Sequence, residues 1–575
     1  MTLNGWIRIL FFLALLTALT WPLGGYLRRV FERDRPPDGR GLGALEHACY
    51  RLAGVDPRSE QKWTAYTLAM LTFNLVGFVA VYTILLLQDR LPWNPRHLPA
   101  LSAHLAFNTA VSFVTNTSWQ SYGGETTLSY LSQMVALTVQ YFVSSATGIV
   151  LAVALVRGFA RRSGTTLGNF WVDLTRCTLY VLLPLAAMLA LLLVWQGVPQ
   201  NLHDYVKAGT IEGAAQTIAQ GPVASQIAIK QLGSDGGGFF NANSAHPYEN
   251  PTALSNLLEM LAMLLIPAAL TNTLGRMVRN PLQGWALYSA MALLFLASAS
   301  LCYWAESQGN PAFSALGIDQ TPGALQAGGN MEGKEARYGT ADSVLWATVT
   351  TASSNGSVNA MHDSFTPLGG FAPMLNIMLG EVIFGGVGSG LYGMLLYALL
   401  AVFIGGLMVG RTPEYLGKKI EVREMKMTML AFLCLPLGSL PMLALACVTP
   451  AALASLGNGG PHGFSEMLYA YDSATGTNGS AFAGLNANVP YWDITLGIAM
   501  LIGRYAFIVP MMAVAGSLVT KKAGTASAGT LPTTGPLFIG LLIAIILIVS
   551  GLTYFPALAL GPVAEHFSML TGSRY

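Results

Sequence analysis

The chain has 575 residues, of which 53% are hydrophobic and only 10% are charged, whereas a soluble domain carries about 25% charged residues. This composition excludes a soluble globular enzyme; the formal net charge is +2, and no nucleic-acid partner is expected. The cysteines show no Cys-x-x-Cys spacing, so neither a disulfide framework nor a metal site is expected from Cys49, Cys177, Cys302, Cys434 and Cys447.

Ten long apolar segments predict an all-α polytopic membrane protein, because crossing a bilayer takes roughly 20 apolar residues. The first is interpreted as a retained helix and not a signal peptide, since Arg28, Arg29 and Arg33 follow it instead of preceding it. In chain order the segments are Trp6 to Leu27, Trp63 to Leu87, Leu128 to Val156, Phe170 to Trp195, Ala253 to Leu274, Leu282 to Trp304, Pro373 to Val409, Met427 to Val448, Pro490 to Val519 and Leu537 to Phe555.

Shorter apolar pieces lie between some of these segments. Pro99 to Phe113 would extend only about 22 Å as a helix, too short for a hydrocarbon core of ~30 Å. Such pieces are interpreted as re-entrant half-helices. Irregular backbone at that depth is tolerated only where it is buried in protein or lines a wet cavity, so an aqueous path is expected beside each one.

The basic residues predict the orientation. By parity of the helices, the basic clusters lie on one side, which the positive-inside rule makes cytoplasmic. Both termini and all four re-entrant pieces are then external, in a bacterial inner membrane. The clusters are Arg28, Arg29, Arg33, Arg35, Arg40, Arg51, Arg58 and Lys62; Arg157, Arg161, Arg162 and Arg176; Arg276 and Arg279; Arg411, Lys418, Lys419, Arg423 and Lys426; and Lys521 and Lys522.

A unit of helix, re-entrant piece, polar turn and helix recurs four times with a period near 120 residues, which predicts pseudo-fourfold symmetry. The predicted organisation is an N-terminal helix (1–27), a basic cytoplasmic loop (28–62), four repeats (63–157, 158–279, 280–411 and 412–522) and a C-terminal helix with its tail (523–575).

The four polar turns are the candidate ion site. Small and polar residues there let an extended backbone direct its carbonyl groups at one axis, which is how a dehydrated K⁺ is coordinated. The half-helix before each turn also directs its partly negative C-terminal end at the cavity. The candidate filter residues are Thr115, Asn116 and Thr117; Gly233, Ser234, Asp235 and Gly236; Ser353, Ser354, Asn355 and Gly356; and Thr477, Asn478 and Gly479. Any one turn alone could be an ordinary polar loop; four at matching positions favour a filter.

The segment from Pro373 to Val409 is too long for one crossing and contains Gly385, Gly386, Gly388 and Gly390, which predicts a broken helix. Its loop could obstruct the path below the third filter and act as a gate; the alternative is a close crossing of helices at small residues. Glu381 and Arg504 are predicted inside the helices that follow the third and fourth filters. Such charges usually face an ion path, and the alternative is a structural ion pair.

The strings around these turns resemble KdpA, the potassium-binding subunit of the bacterial Kdp transport ATPase, over the whole length of the chain. They are Thr115 to Glu125, Gly236 to Pro247, Asn359 to Ser364, Asn478 to Leu485 and the cytoplasmic Gly410 to Lys419. Asp235 and Ser118 depart from the family pattern, because Asn is expected at both positions.

The resemblance implies a superfamily of potassium transporters descended from a two-helix channel unit. It implies K⁺ as the transported ion and the partners KdpB, a P-type ATPase subunit that uses ATP and Mg²⁺, KdpC, KdpF and membrane lipids. It further implies that K⁺ leaves the filter through a lateral tunnel, that Glu381 draws the cation out of the filter and that Arg504 limits back-flow.

Two functions from different classes remain open. The chain is either the potassium-binding subunit of an ATP-driven importer or a self-sufficient channel or symporter built on the same repeats. It carries neither a Gly-x-x-x-x-Gly-Lys-Ser/Thr phosphate loop nor an Asp-Lys-Thr-Gly-Thr phosphorylation motif, so hydrolysis must come from a partner and no cofactor of its own is expected. A membrane-embedded enzyme is disfavoured, since no nucleophile or metal constellation is found; the external His203, His246, His362 and His462 are interpreted as isolated.

Overall fold

A computed structural model describes residues 1–32, 41–323, 326–524 and 530–572. Within these ranges ten helices are long and apolar enough to cross a membrane, which confirms the predicted number. They are Leu3–Glu32, Trp63–Leu86, Ser132–Ala160, Phe170–Gln196, Ala253–Met277, Pro281–Ala315, Ser389–Met408, Val422–Ala446, Pro490–Thr520 and Pro536–Leu570. Arg33, Arg35 and Arg40 of the predicted basic loop lie outside the described residues.

Four shorter helices precede the polar turns, and these pore helices have 12, 10, 14 and 17 residues. At 1.5 Å per residue even the longest extends only about 26 Å, so none spans the bilayer. Each is followed by a turn and then by a long helix, which gives the predicted fourfold repeat. The pore helices are Ala103–Val114, Val223–Leu232, Gly339–Ala352 and Gly460–Gly476.

The predicted seventh segment is broken in the structure. A helix at Pro367–Met378 ends before an irregular connection at residues 379–388, and only the following helix, Ser389–Met408, is long enough to span. Left-handed backbone at Gly380, Gly385 and Gly388 (φ 82°, 71° and 98°) prevents the first helix from continuing. The prediction of a broken helix is therefore confirmed.

The remaining elements are small and lie outside the spanning helices. Strands Val206–Gly209 and Ala215–Ile218 form an antiparallel hairpin that pairs Val206 with Ile218, and Glu414–Tyr415 pairs with Lys418–Lys419. The short helices outside these spans are Leu42–Ala53, Gln88–Arg90, Gly124–Thr127, Asn243–Ala245, His362–Ser364 and Pro450–Leu453.

Both chain ends lie on the side of the bundle where the pore helices begin. Arg8 pairs with Asp342 in the first turn of the third pore helix at 2.7 Å, and Glu565 contacts His462 near the start of the fourth. The basic clusters meet at the other end, where Lys418 Nζ donates to the carbonyl oxygens of Arg161 and Lys521. The described residues near the two termini and those of the basic clusters thus lie at opposite ends of the bundle, and which end is external stays a prediction.

Candidate ion-coordination site at the centre of the bundle

The four polar turns adopt one common backbone conformation. One or two positions after each pore helix comes a residue with left-handed φ: Asn116 (63°), Ser234 (48°), Ser354 (56°) and Thr477 (61°). The amide of the next residue then donates to the carbonyl oxygen five positions earlier, at 2.8 to 3.0 Å, in the pairs Thr117 to Ser112, Asp235 to Lys230, Asn355 to Thr350 and Asn478 to Ser473. This recurrence gives the four segments the same local geometry.

The segments converge on one place. A methyl group added at the α-carbon of Gly236 would lie 2.9, 3.0 and 3.2 Å from the backbone oxygens of Thr117, Asn355 and Asn478. One carbonyl oxygen from each of the other three segments therefore lies close to a single point beside the second segment. Gathered carbonyl oxygens can replace the hydration shell of a monovalent cation.

Neighbouring segments also approach too closely for any side chain. A β-carbon at Gly479 would lie 2.0 Å from Thr117 O, and one at Gly356 would lie 2.2 Å from Asn478 O. Both glycines have left-handed φ, 94° and 86°, which other residues adopt only with strain. Glycine at these positions is thus required by conformation and by space.

Side-chain hydrogen bonds link the converging polar turns to one another and to the neighbouring helix. Asn116 Nδ2 donates to Ser234 O at 3.1 Å, and Ser354 Oγ donates to Thr477 O at 3.0 Å. Tyr141 OH donates to Gly236 O at 2.9 Å, which occupies one lone pair of that carbonyl. Hydrogen bonds of this kind restrict the movement of the carbonyl groups.

All fourteen predicted filter residues lie in the converging turns, thirteen of them buried and Gly479 half-buried. Two further residues in these turns are not among the fourteen candidates. Gly476 is the equivalent of Thr115, because Thr477, not Asn478, has the left-handed φ of the fourth segment. Ser118 (φ 55°) occupies the position of the filter glycines in the first segment.

The irregular connection at residues 379–388 lies against the third filter segment. Gly385 N donates to Ala352 O at 2.7 Å, and a β-carbon at Gly386 would lie 3.4 Å from Ser353 O. A β-carbon at Gly388 would collide with Gly148 O at 2.0 Å. The connection therefore fills the space between the third filter segment and the helix Ser132–Ala160, while Gly390 lies in the helix that follows.

Glu381 lies in this connection with φ 51°, so the prediction that it lies inside a helix is wrong. The glycine-rich backbone breaks the helix before Glu381 is reached. Its side chain is buried beside the fourth filter segment: a β-carbon at Gly476 would be 3.6 Å from its Oε2. Oε1 has no hydrogen-bond partner within the described residues.

Arg504 lies inside the helix Pro490–Thr520, as predicted, and is buried. Its Nη2 donates weakly to Ser144 O at 3.4 Å, and its Nε has no partner within the described ranges. Among the residues that the structure describes, neither Arg504 nor Glu381 has an oppositely charged group within 4.0 Å. Buried charges without a counter-charge are costly, which disfavours a purely structural ion pair.

These features define a class of protein, a multi-pass helical membrane transporter with four pore-helix repeats around one axis. The solved structure of the potassium transporter TrkH from Vibrio parahaemolyticus has a similar fold, with a TM-score of 0.53 at 15% identity, covering 88% of this chain and 96% of that one.

The chain belongs to the KdpA family, described as "Potassium-transporting ATPase A subunit", whose family model matches residues 10–567. It is 64% identical over 575 residues to a protein of Rhodospirillum centenum and 60% identical to one of Mesorhizobium japonicum, covering 100% of this chain and 99% and 100% of the relatives. Both are named "Potassium-transporting ATPase potassium-binding subunit". Membership confirms the predicted family and the prediction of a transporter subunit without a catalytic site of its own.

Proposed function

We propose that this chain binds external K⁺ in a selectivity filter built from its four polar turns, as the potassium-binding subunit of an ATP-driven importer. The observation that carries the proposal is the approach of the Thr117, Asn355 and Asn478 carbonyl oxygens to one point beside Gly236. The names of the relatives support K⁺ as the ion.

Substitution of a filter glycine tests the filter. Gly479→Ala forces a methyl group against Thr117 O and strains a residue at φ 94°, so we expect uptake from micromolar K⁺ to be lost. Gly459→Ala is the matched control from the same repeat, because Gly459 has open space around its α-carbon and φ −96°. Unchanged K⁺ affinity in a correctly folded Gly479→Ala protein contradicts the filter.

The path below the filter involves the broken helix and two charges. Glu381 draws the cation out of the filter, Arg504 limits leak, and the connection at residues 379–388 acts as the gate before a lateral tunnel. Their burial without counter-charges and the contact of the connection with Ser353 support these roles.

Charge-neutral variants separate transport from binding. In Glu381→Gln and Arg504→Gln we expect altered transport, slower uptake in the first and increased passive leak in the second, while K⁺ binding persists. Gly388→Ala pushes the connection away from Gly148 and also raises leak, whereas Gly540→Ala, at a glycine with open space in the last spanning helix, leaves it unchanged. If all variants transport as the unmodified protein does, these residues are structural.

The proposed partners are those that the family resemblance implies. KdpB supplies ATP hydrolysis with Mg²⁺, KdpC and KdpF complete the assembly in the bacterial inner membrane, and lipids surround it. A copurifying P-type ATPase with K⁺-stimulated hydrolysis is the expected result. K⁺ uptake by this chain alone in proteoliposomes favours the self-sufficient channel or symporter instead.

A further inference from the structure

A cluster of three carboxylates and one imidazole lies on the external side, away from the filter axis. Asp363 lies in the short helix after the third filter, His462 and Glu466 lie one turn apart in the fourth pore helix, and Glu565 lies in the C-terminal segment. One ligand atom from each of Asp363, His462 and Glu466 lies within 4.8 Å of the others. The interpretation of His462 as isolated is therefore wrong, because folding joins positions about a hundred residues apart.

Glu466 contributes an unsatisfied carboxylate oxygen to this cluster. Its side chain is fully buried, and Oε1 accepts a hydrogen bond from Asn458 Nδ2 at 2.8 Å. Oε2, which belongs to the same carboxylate, has no hydrogen-bond partner within the described residues. A buried carboxylate oxygen left unpaired costs free energy unless a cation satisfies it.

The imidazole of His462 is oriented as a metal ligand would be. Its Nδ1 lies 2.7 Å from Glu565 Oε1, and its Nε2 lies 3.0 Å from Asp363 Oδ1. A metal-bound histidine usually donates its other ring N–H to a carboxylate, which fixes the tautomer. With the Nδ1 proton given to Glu565, the Nε2 lone pair faces the space shared with Asp363 and Glu466.

We propose that Asp363, His462 and Glu466 bind a divalent transition-metal cation of the Zn²⁺ type, with Glu565 positioning the imidazole. One imidazole nitrogen and two carboxylates are ligands that Zn²⁺ accepts in a tetrahedral site, with one position left for water. The double charge of the ion balances the Asp363 and Glu466 carboxylates.

Such an ion would fasten three separate parts of the external surface. It would join the loop after the third filter to the fourth pore helix. The contact of Glu565 with His462 connects the C-terminal segment to the same cluster. The same pore helix ends at the fourth filter segment, so the metal would stiffen the outer mouth of the path. Phe482 stacks on His462 with ring centroids 6.2 Å apart and limits movement of the imidazole.

A proton is the competing occupant. Burial lowers the pKa of His462, but its hydrogen bonds with Asp363 and Glu565 outweigh that effect and raise the pKa to about 10. A protonated His462 could therefore bridge these two carboxylates as an ion pair, although it leaves Glu466 Oε2 unpaired. The metal site predicts that the protein retains metal in stoichiometric amount, whereas the protonated ion pair predicts that it does not.

The experiment is metal analysis of the full-length protein, purified in detergent or as the complex, after loading with Zn²⁺ and gel filtration. We expect about one retained Zn²⁺ per chain and a higher melting temperature with Zn²⁺ than without it. His462→Gln and Asp363→Asn should lose the retained ion. Glu565→Gln should weaken Zn²⁺ binding by roughly 10- to 100-fold, as loss of an orienting partner does.

His203→Gln is the matched control, since His203 is an exposed external histidine, and it should retain Zn²⁺ as the unmodified protein does. Co²⁺ loading gives a second readout, because a tetrahedral site with a nitrogen ligand colours the protein and His462→Gln removes that colour. Zn²⁺ retention that is absent in the unmodified protein, or equal in His462→Gln, overturns the proposal and leaves an ion pair only.

Discussion

Asp235 lies in the second filter segment, and its carboxyl group is fully buried. The group is buried behind the filter, where Oδ2 lies 2.7 Å from Ser145 Oγ and Oδ1 accepts from Ser118 Oγ at 3.3 Å. Ser145 has one hydroxyl proton, and the Tyr141 carbonyl oxygen lies only 2.5 Å from its Oγ. A carboxyl that keeps its proton and donates it to Ser145 Oγ satisfies both groups.

Asparagine at this position should therefore replace aspartate with little effect. In Asp235→Asn the amide Nδ2 donates to Ser145 Oγ in the same way, and we expect the K⁺ affinity to stay within about threefold. Titration of K⁺ binding to the purified protein checks this. A loss of tenfold or more, about 1.4 kcal/mol, would mean that an ionised Asp235 contributes to holding the cation.

At the residue scale the sequence predicts which types of residue form the ring, and its fourteen candidates do lie in the converging turns. Gly476 was not among the candidates because its place in the turn depends on the left-handed φ of Thr477. That backbone conformation cannot be read from the residue types alone. The sequence also misses the surroundings of His462, since the partner Asp363 belongs to another repeat and Glu565 to the C-terminal segment.

Among the elements, the second pore helix is fixed to its filter segment by a fully buried ion pair. Lys230 Nζ lies 2.8 Å from Glu249 Oε2, and neither side chain is exposed. Lys230 Nζ also donates to Gly237 O at 3.2 Å, and Phe240 N donates to Glu249 Oε1 at 2.9 Å. The pair thus joins the pore helix to the backbone that follows the filter.

Breaking this pair from one side should be severe. Lys230→Met leaves Glu249 as an unpaired buried charge, which typically costs about 3–5 kcal/mol, so we expect a clearly lower melting temperature and weaker K⁺ binding. The double variant Lys230→Met/Glu249→Leu should recover part of the stability. Arg28→Ala is the control, because the exposed pair with Glu32 should contribute less than about 1 kcal/mol. An equal effect of Lys230→Met and Arg28→Ala contradicts this account.

The kinds of helix could largely be predicted from the sequence. The lengths of the apolar segments alone predict ten spanning helices, and the shorter apolar pieces predict re-entrant pore helices. The dense glycines predict the break in the seventh segment. The exact place of Glu381 was not predictable, because it depends on left-handed backbone at Gly380 and at Glu381 itself. Such local conformations are imposed by the filter and helix that the connection packs against.

At the scale of the whole molecule, basic clusters from several repeats gather at one end and both termini at the other. Lys521 pairs with Glu424 at 2.7 Å on the basic end, while the hairpin around Ile211 lies in the connection between the helix Phe170–Gln196 and the second pore helix. From the positive-inside rule we propose that the basic end faces the cytoplasm. The sequence alone predicts this arrangement because it needs only helix parity and charge.

Labelling of single cysteines in intact cells tests the orientation. In a cysteine-free background, Ile211→Cys should react with a membrane-impermeant maleimide, since Ile211 is fully exposed on the external hairpin. Arg58→Cys should react only after permeabilisation, because Arg58 is exposed on the basic side. Both should label in permeabilised cells, and the reverse pattern in intact cells would invert the proposed orientation.

In the proposed filter four separate stretches of backbone together coordinate one cation, and a map of bound ions would show whether they do. We would determine the structure of the purified complex with Tl⁺ or Rb⁺ in place of K⁺ and locate the ion by its anomalous scattering. We expect a peak on the pseudo-fourfold axis, about 3 Å from the carbonyl oxygens of Thr117, Asn355 and Asn478. Saturating ion with no peak at that position, or with peaks only elsewhere, would contradict it.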